Sequence, residues 1–228
     1  MDLSTRLADL DARIADAARA AGRDPSELTR IVVTKFHPAS LVTRLHELGV
    51  RDVGENRQQE LTAKRAELPA YDDLTWHFIG QLQTKKARAV RAAADVVHSV
   101  DRERVADALH AADADADAPL DVLVQVNLTD DEGRGGVAPD GVEALATHIR
   151  AACPSLRLRG VMAVAPLDVA PEAAFTRLAA SSATLRAVVP DATWISAGMS
   201  GDFAEAIAAG ATHLRIGTAI TGPRTVPG

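Results

Sequence analysis

Arg30-Ile31-Val32-Val33-Thr34-Lys35, followed by Phe36-His37-Pro38, is a β-branched run that ends in a lysine and then breaks. It reads as a buried strand of a parallel sheet with an amine at its C-terminal end. The break is as informative as the strand. A dinucleotide-binding sheet would carry Gly-x-Gly-x-x-Gly at its first strand-to-helix turn, and Lys35-Phe36-His37-Pro38 stands there instead. Of the four lysines, Lys64, Lys85 and Lys86 fall in polar, helix-like surroundings where an ammonium is simply solvated. An ammonium beside an apolar strand is poorly hydrated, which lowers its pKa and favours the neutral amine that attacks a carbonyl. The plainer reading is a lysine that snorkels from a strand end to the surface, and the stretch by itself favours it.

Working outward, Leu3, Leu7, Leu10, Ile14 and Ala17 recur at helical spacing up to Gly22, so an amphipathic helix precedes the first strand. After Pro38 a short helix closes at Gly49, and Val50 to Val53 form a strand running into Gly54-Glu55-Asn56. The rhythm repeats with strands at 74–79, 96–100, 120–128, 158–164, 193–196 and 213–216, separated by helical stretches. Eight strands alternating with helices predict an α/β chain, a single-domain (β/α)8 TIM barrel over residues 1–228 with an additional N-terminal helix. Few residues follow the last strand, so the helix over 3–21 is expected to cover the gap where an eighth helix would pack. An open, doubly wound sheet is the alternative. Asp130 to Gly136 form a charged, glycine-rich loop without the Gly-Lys-Ser/Thr ending of a P-loop, and a flexible connector is expected there.

With 228 residues and 47% hydrophobic content the chain can bury a full core. Its net charge of −6 offers no basic stripe to a phosphate backbone, which argues against nucleic acid. No apolar run is long enough to span a bilayer and Met1-Asp2-Leu3-Ser4 lacks the layout of a signal peptide, so a cytoplasmic protein without membrane contact is expected. The single Cys153 before Pro154 reads as packing. None of the seven histidines forms a His-x-x-x-His or His-x-His pair with a nearby carboxylate, so no metal site is expected.

In a barrel the C-terminal strand ends share one face, and the loops after the seventh and eighth strands often hold phosphate. Those loops are Gly198-Met199-Ser200 and Gly217-Thr218, and the same face is expected to receive Lys35, Asn56, His77, Gly80 and Arg215. An amine for an aldehyde, a phosphate cup and a fixed cation together match pyridoxal 5′-phosphate.

Five segments carry a family resemblance: Val33-Thr34-Lys35, Gly54 to Glu60, Trp76 to Gln83, Gly198 to Phe203, and Arg215 to Ile220. They resemble the pyridoxal phosphate homeostasis proteins, the YggS-like family of fold-type III barrels akin to the N-terminal domain of alanine racemase. The resemblance implies that Lys35 forms the aldimine with the cofactor and that Arg215 faces the pyridine nitrogen. It further implies that Ser200, Gly217 and Thr218 bind phosphate and that Asn56 lies near the ring hydroxyl. Phe36, Gln81 and Thr221 depart from the usual pattern at the rim. Two function classes follow: a fold-type III racemase, or a protein that carries and buffers pyridoxal phosphate and so maintains vitamin B6 and amino-acid and keto-acid homeostasis. The carrier is the expected one, acting as a monomer, with apo-forms of cofactor-dependent enzymes as candidate recipients. Racemisation needs a second acid/base opposite the lysine, and the only tyrosine, Tyr71, precedes the third strand at the other end of the barrel. Arg215 also cannot stabilise a pyridinium, since a guanidinium stays protonated. His77 is expected at a strand end facing the cofactor, as a base or as a packing residue.

Overall fold

A computed structural model of the chain describes residues 2–69, 71–129 and 131–222. The polypeptide opens with helix α1 (Leu3–Ala20), then alternates β1 (Thr29–Val33), α2 (Ala39–Glu47), β2 (Asp52–Glu55), α3 (Gln58–Glu67), β3 (Thr75–Phe78), α4 (Ala87–Arg91) and β4 (Val96–Val100). It continues through α5 (Glu103–Ala111), β5 (Leu120–Gln125), α6 (Val142–Ala152), β6 (Leu156–Met162), α7 (Pro171–Val188), β7 (Trp194–Ser196), α8 (Phe203–Ala208), β8 (His213–Ile216) and α9 (Thr218–Thr221). All eight strands are parallel, and each pairs with its neighbour in sequence. β1 also pairs with β8, Thr29 opposite His213, so the sheet closes into the expected barrel and the open-sheet alternative falls.

Side chains alternate across each strand, and the two faces bury different things. Outward residues such as Val53, Trp76, Phe78, Val97 and Val122 pack against the helices in the main core. Inside the barrel a separate small cluster, Val96, Leu123 and Met162 with Trp194 against it, fills part of the lumen.

Helix α1 forms because Leu3, Leu7, Leu10 and Ile14 share one buried face and the Asp2 carboxylate accepts the Thr5 N–H at 2.8 Å as an N-cap. It lies across the seam of the barrel. Arg6 Nε donates to the Ile220 carbonyl of α9 at 2.6 Å, Arg13 stands 5.2 Å from the Phe203 ring of α8, and Asp11 pairs with Arg30 of β1 at 2.8 Å. The expected cover is therefore present, together with a four-residue helix after β8 that the sequence reading did not contain.

Strand β5 ends at Gln125, three residues before its expected end. Asn127 turns the chain: its N–H donates to Val137 O at 2.8 Å and its Oδ1 accepts from the Thr129 N–H at 2.9 Å. The loop expected as a loose connector thus folds back beside the strand it left, with Val126 bridged to Val137. Asp130 lies outside the described residues.

Candidate functional site

A cavity of about 440 Å³ opens at the C-terminal ends of the strands, the volume of a typical small-molecule site. Val33 from β1, Lys35 just after it, Asn56 after β2, Ile79 after β3 and Val164 after β6 line it. Met199, Ser200 and Gly201 after β7, Arg215 on β8 and Gly217 with Thr218 at the start of α9 complete it. Seven of the eight residues expected to meet a cofactor are therefore brought together.

The eighth, His77, is not among them. The expectation that it faces the cofactor is corrected by the pleat: on the inward face of the β3 segment, Ile79 reaches the cavity and His77 sits two residues, about 7 Å, below it. His77 lines the cavity at the opposite mouth with Thr29, Asp52, Thr75 and His213, and bonds Asp52 and His98 at 2.9 Å each.

Lys35 is aimed by the residues around it. Phe36, with φ of 66°, occupies the left-handed region that a bulky residue adopts only under constraint. Its N–H donates to Glu60 Oε2 at 2.7 Å, and Arg57 stacks 4.8 Å from its ring. The preceding Thr34 is fully buried and donates to Glu55 Oε1 at 2.6 Å. Lys64 completes this knot. Its Nζ donates to Glu55 Oε1 at 2.6 Å and to the Thr34 carbonyl at 2.8 Å, and the residue is 5% exposed, so the expectation of a solvated Lys64 is corrected. Burial raises the Glu55 pKa, and the Lys64 ammonium opposes that shift. Only a paired charge is tolerable there.

Asn56 is set by a close approach. A Cβ on Gly80 would stand 1.9 Å from the Asn56 carbonyl oxygen, so only glycine lets β3 and the loop after β2 meet there. Asn56 Oδ1 is buried with no hydrogen-bond partner among the described residues, an acceptor left for something in the cavity. On the far side Arg215 is buried, with its pKa lowered to about 10 by desolvation, which leaves it charged at neutral pH. Gly198, at φ 88°, lets the loop after β7 run under α8, where a Cβ would stand 2.8 Å from that of Ala206. Past that turn Ser200 and Thr218 offer hydroxyls, and the short helices α8 and α9 begin with N–H groups that have no carbonyl of their own turn to bond.

The chemistry of this donor set suits pyridoxal phosphate. It offers an amine for an aldehyde, an unused amide for the ring substituents, a cation deep in the cavity, and hydroxyls beside helix starts for a dianion.

Among the described residues one cluster of metal-ligating types lies elsewhere: Asp107, His148 and Cys153 have ligand atoms within 4.8 Å of one another. Hydrogen bonding accounts for it. His148 Nε2 stands 2.6 Å from Asp107 and its Nδ1 3.9 Å from Glu103, while burial and Asp107 push the Cys153 thiol up to about 11.

Comparison with known proteins agrees with the geometry. The family model described as alanine racemase, N-terminal domain, matches residues 6–225. The pyridoxal phosphate homeostasis protein of Mycobacterium tuberculosis (strain ATCC 25618 / H37Rv) is 39% identical over 241 residues, covering 98% of this chain and 93% of that protein. The protein of the same name from Pseudomonas aeruginosa is 41% identical over 228 residues, covering 97% and 96%. This chain belongs to the pyridoxal phosphate homeostasis protein family. A solved family member, PipY of Synechococcus elongatus PCC7942 with pyridoxal phosphate bound, superposes with a TM-score of 0.84 at 34% identity, covering 97% of this chain and all of PipY. The closed barrel whose strand ends form the cavity is the fold that this chain shares with PipY.

The sequence reading missed Val33, Ile79, Val164 and Gly201 in the cavity wall, and Glu55, Lys64, His98 and Ser196 behind it. For His98 and Ser196 a signal existed: each is a polar residue within or closing an apolar strand, Val96-Val97-His98-Ser99-Val100 and Trp194-Ile195-Ser196.

Proposed function

We propose that this protein binds pyridoxal 5′-phosphate, holds it through the Lys35 amine, and buffers and delivers the cofactor rather than turning over a substrate with it. The observation that carries this reading is the convergence of Lys35, the unpartnered Asn56 Oδ1, Arg215 and the Ser200 and Thr218 hydroxyls on one cavity. The names of the relatives and the pyridoxal phosphate bound to PipY support it. When bound, the cofactor supplies an aldehyde that condenses reversibly with an amine and a ring that withdraws electrons when its nitrogen is protonated. The chain's own residues decide how much of that chemistry is used. Lys35 would make the reversible bond, Asn56 would meet the ring hydroxyl, and Ser200, Gly217 and Thr218 would hold the phosphate. Arg215 would face the ring nitrogen as an N–H donor that does not give up its proton, so the nitrogen stays unprotonated and the ring a weak electron sink. A weak sink suits storage.

The racemase alternative needs a proton donor opposite Lys35. Tyr71 precedes β3, at the other end of the barrel, with its ring 4.4 Å from that of His46. His77 faces the opposite mouth. A cytoplasmic monomer that passes its cofactor to apo-enzymes remains the proposed setting.

The deciding experiment is absorption spectroscopy of the purified protein with added pyridoxal phosphate, then borohydride reduction and peptide mapping. A visible band, with the reduced cofactor fixed to the peptide that contains Lys35, is expected. Fixation at Lys85 or Lys86 with Lys35 unmodified would sink the assignment. The carrier reading is tested separately by solvent deuterium exchange at the α-carbon of alanine. Exchange at enzyme-like rates, lost in Lys35→Ala, would make the protein an enzyme.

A further inference from the structure

Below the cavity floor, the barrel lumen holds a row of polar side chains. Arg215 Nη1 donates to Ser196 Oγ at 2.7 Å and its Nη2 to the Ala163 carbonyl at 2.8 Å. Ser196 Oγ lies 2.9 Å from His98 Nδ1, His98 Nε2 lies 2.9 Å from His77 Nδ1, and His77 Nε2 lies 2.9 Å from Asp52 Oδ1. One strand supplies each member: β8, β7, β4, β3 and β2 in turn. Ser196 and His98 are fully buried, while the Asp52 side chain is 27% exposed at the opposite mouth. The row therefore crosses the barrel from the cavity floor to solvent.

Its ends fix its direction. A guanidinium has no acceptor and an ionised carboxylate no donor, so with both imidazoles neutral each group between them accepts from the Arg215 side and donates toward the Asp52 side. The Ser196 hydroxyl then donates to His98 Nδ1, His98 Nε2–H to His77 Nδ1, and His77 Nε2–H to Asp52. In this arrangement the single proton of each imidazole sits on Nε2. The surroundings agree for His98, whose imidazolium is disfavoured by burial first and then by His77, Arg215 and His213. Beside the apolar Val96, Leu123 and Met162, such a row is stable only when every member is satisfied.

We propose that His98 and His77 are positioning residues for the cavity: through Ser196, a one-way hydrogen-bond chain anchored on Asp52 fixes the Arg215 guanidinium at the floor of the site. This rests on the cofactor reading above and gives it a cause for preorganisation. A free arginine would order its side chain on binding, whereas here the ordering precedes the ligand.

Two measurements test it. The first needs no cofactor: long-range ¹⁵N–¹H correlation spectra of the wild-type protein at pH 7.5 should show His98 and His77 as Nε2–H tautomers. An Nδ1–H tautomer at His98, or a doubly protonated His77, overturns the chain. The second uses Ser196→Ala and Asp52→Ala with added pyridoxal phosphate. Both should bind about three- to tenfold more weakly, the equivalent of one net hydrogen bond. In both, the pH at which the bound cofactor's visible band changes should shift by more than about half a unit, a readout that a purely structural role would not move. Wild-type affinity and an unmoved pH profile in both variants overturn the proposal. Should the wild-type protein bind no pyridoxal phosphate, the cofactor reading fails and takes the purpose of the chain with it. Normal binding with the wrong His98 tautomer removes the chain alone.

Discussion

The lysine that the sequence marks out and the lysine it hides do different work, although the second bonds the carbonyl of the residue just before the first. Lys35 meets the cavity, and Lys64 neutralises Glu55 behind it. Lys64→Met should destabilise the protein by about 3–5 kcal/mol, because it leaves a buried carboxylate unpaired. For a chain of this length that lowers the melting temperature by roughly 10 °C, which calorimetry reads directly, and Glu55→Gln in the same chain should recover part of the loss. Lys35→Ala should fold as the wild type does. Ser200→Ala and Thr218→Val each remove one hydrogen bond to a charged group, about 1.5–3 kcal/mol, so affinity for pyridoxal phosphate should fall about tenfold or more in each while the borohydride-reducible bond still forms. Unchanged affinity in the double variant would move the phosphate site elsewhere. Lys35 was legible because a rare chemical type stood just past a strand, and Ser200 and Arg215 because the loop after β7 and the last strand of a barrel meet at one face. Lys64 was not: on a helix with little amphipathic pattern nothing local distinguishes a buried ammonium, and Glu55 lies nine residues away.

Among the elements, the strands were legible because β-branched runs recur between glycines, and β4 and β8 begin and end where the pattern changes. Their orientation was harder to read. His77 shows why, since a strand's inward residues all look alike in sequence while only the last of them reaches the cavity. The end of β5 was misplaced because Val126 and Leu128 continue its apolar run, yet Asn127 between them binds the returning loop. The glycines of the site loops give a matched test. Gly198→Ala meets both a positive φ and a contact at 2.8 Å, so it should displace the loop after β7 and lower both stability and pyridoxal phosphate affinity. A Cβ on the neighbouring Gly201 meets nothing within 4 Å, so Gly201→Ala should melt with the wild type in a thermal scan.

For the molecule as a whole, the buried histidines give stability a pH dependence. Burial pushes His98 well below its ordinary range and His213 down to about 3. Between about pH 6.5 and those values the unfolded chain binds protons that the folded one refuses, so stability falls as pH is lowered, by about 1.4 kcal/mol per pH unit for each fully titrating group. Melting temperature should therefore decline steadily from pH 7 to pH 5, and a flat profile would contradict the buried, neutral imidazoles. The closure of the barrel has a consequence for how the protein is made. Thr29 finds His213 184 positions along the chain, so throughout synthesis β1 waits with one edge unpaired. Such distant pairing makes folding slow and leaves that edge open to neighbours meanwhile. The ribosome also delivers the amine first and Arg215, Gly217 and Thr218 last. A nascent chain thus holds one half of the proposed grip without the other, and the grip proposed for the cofactor is complete only once β8 has been made.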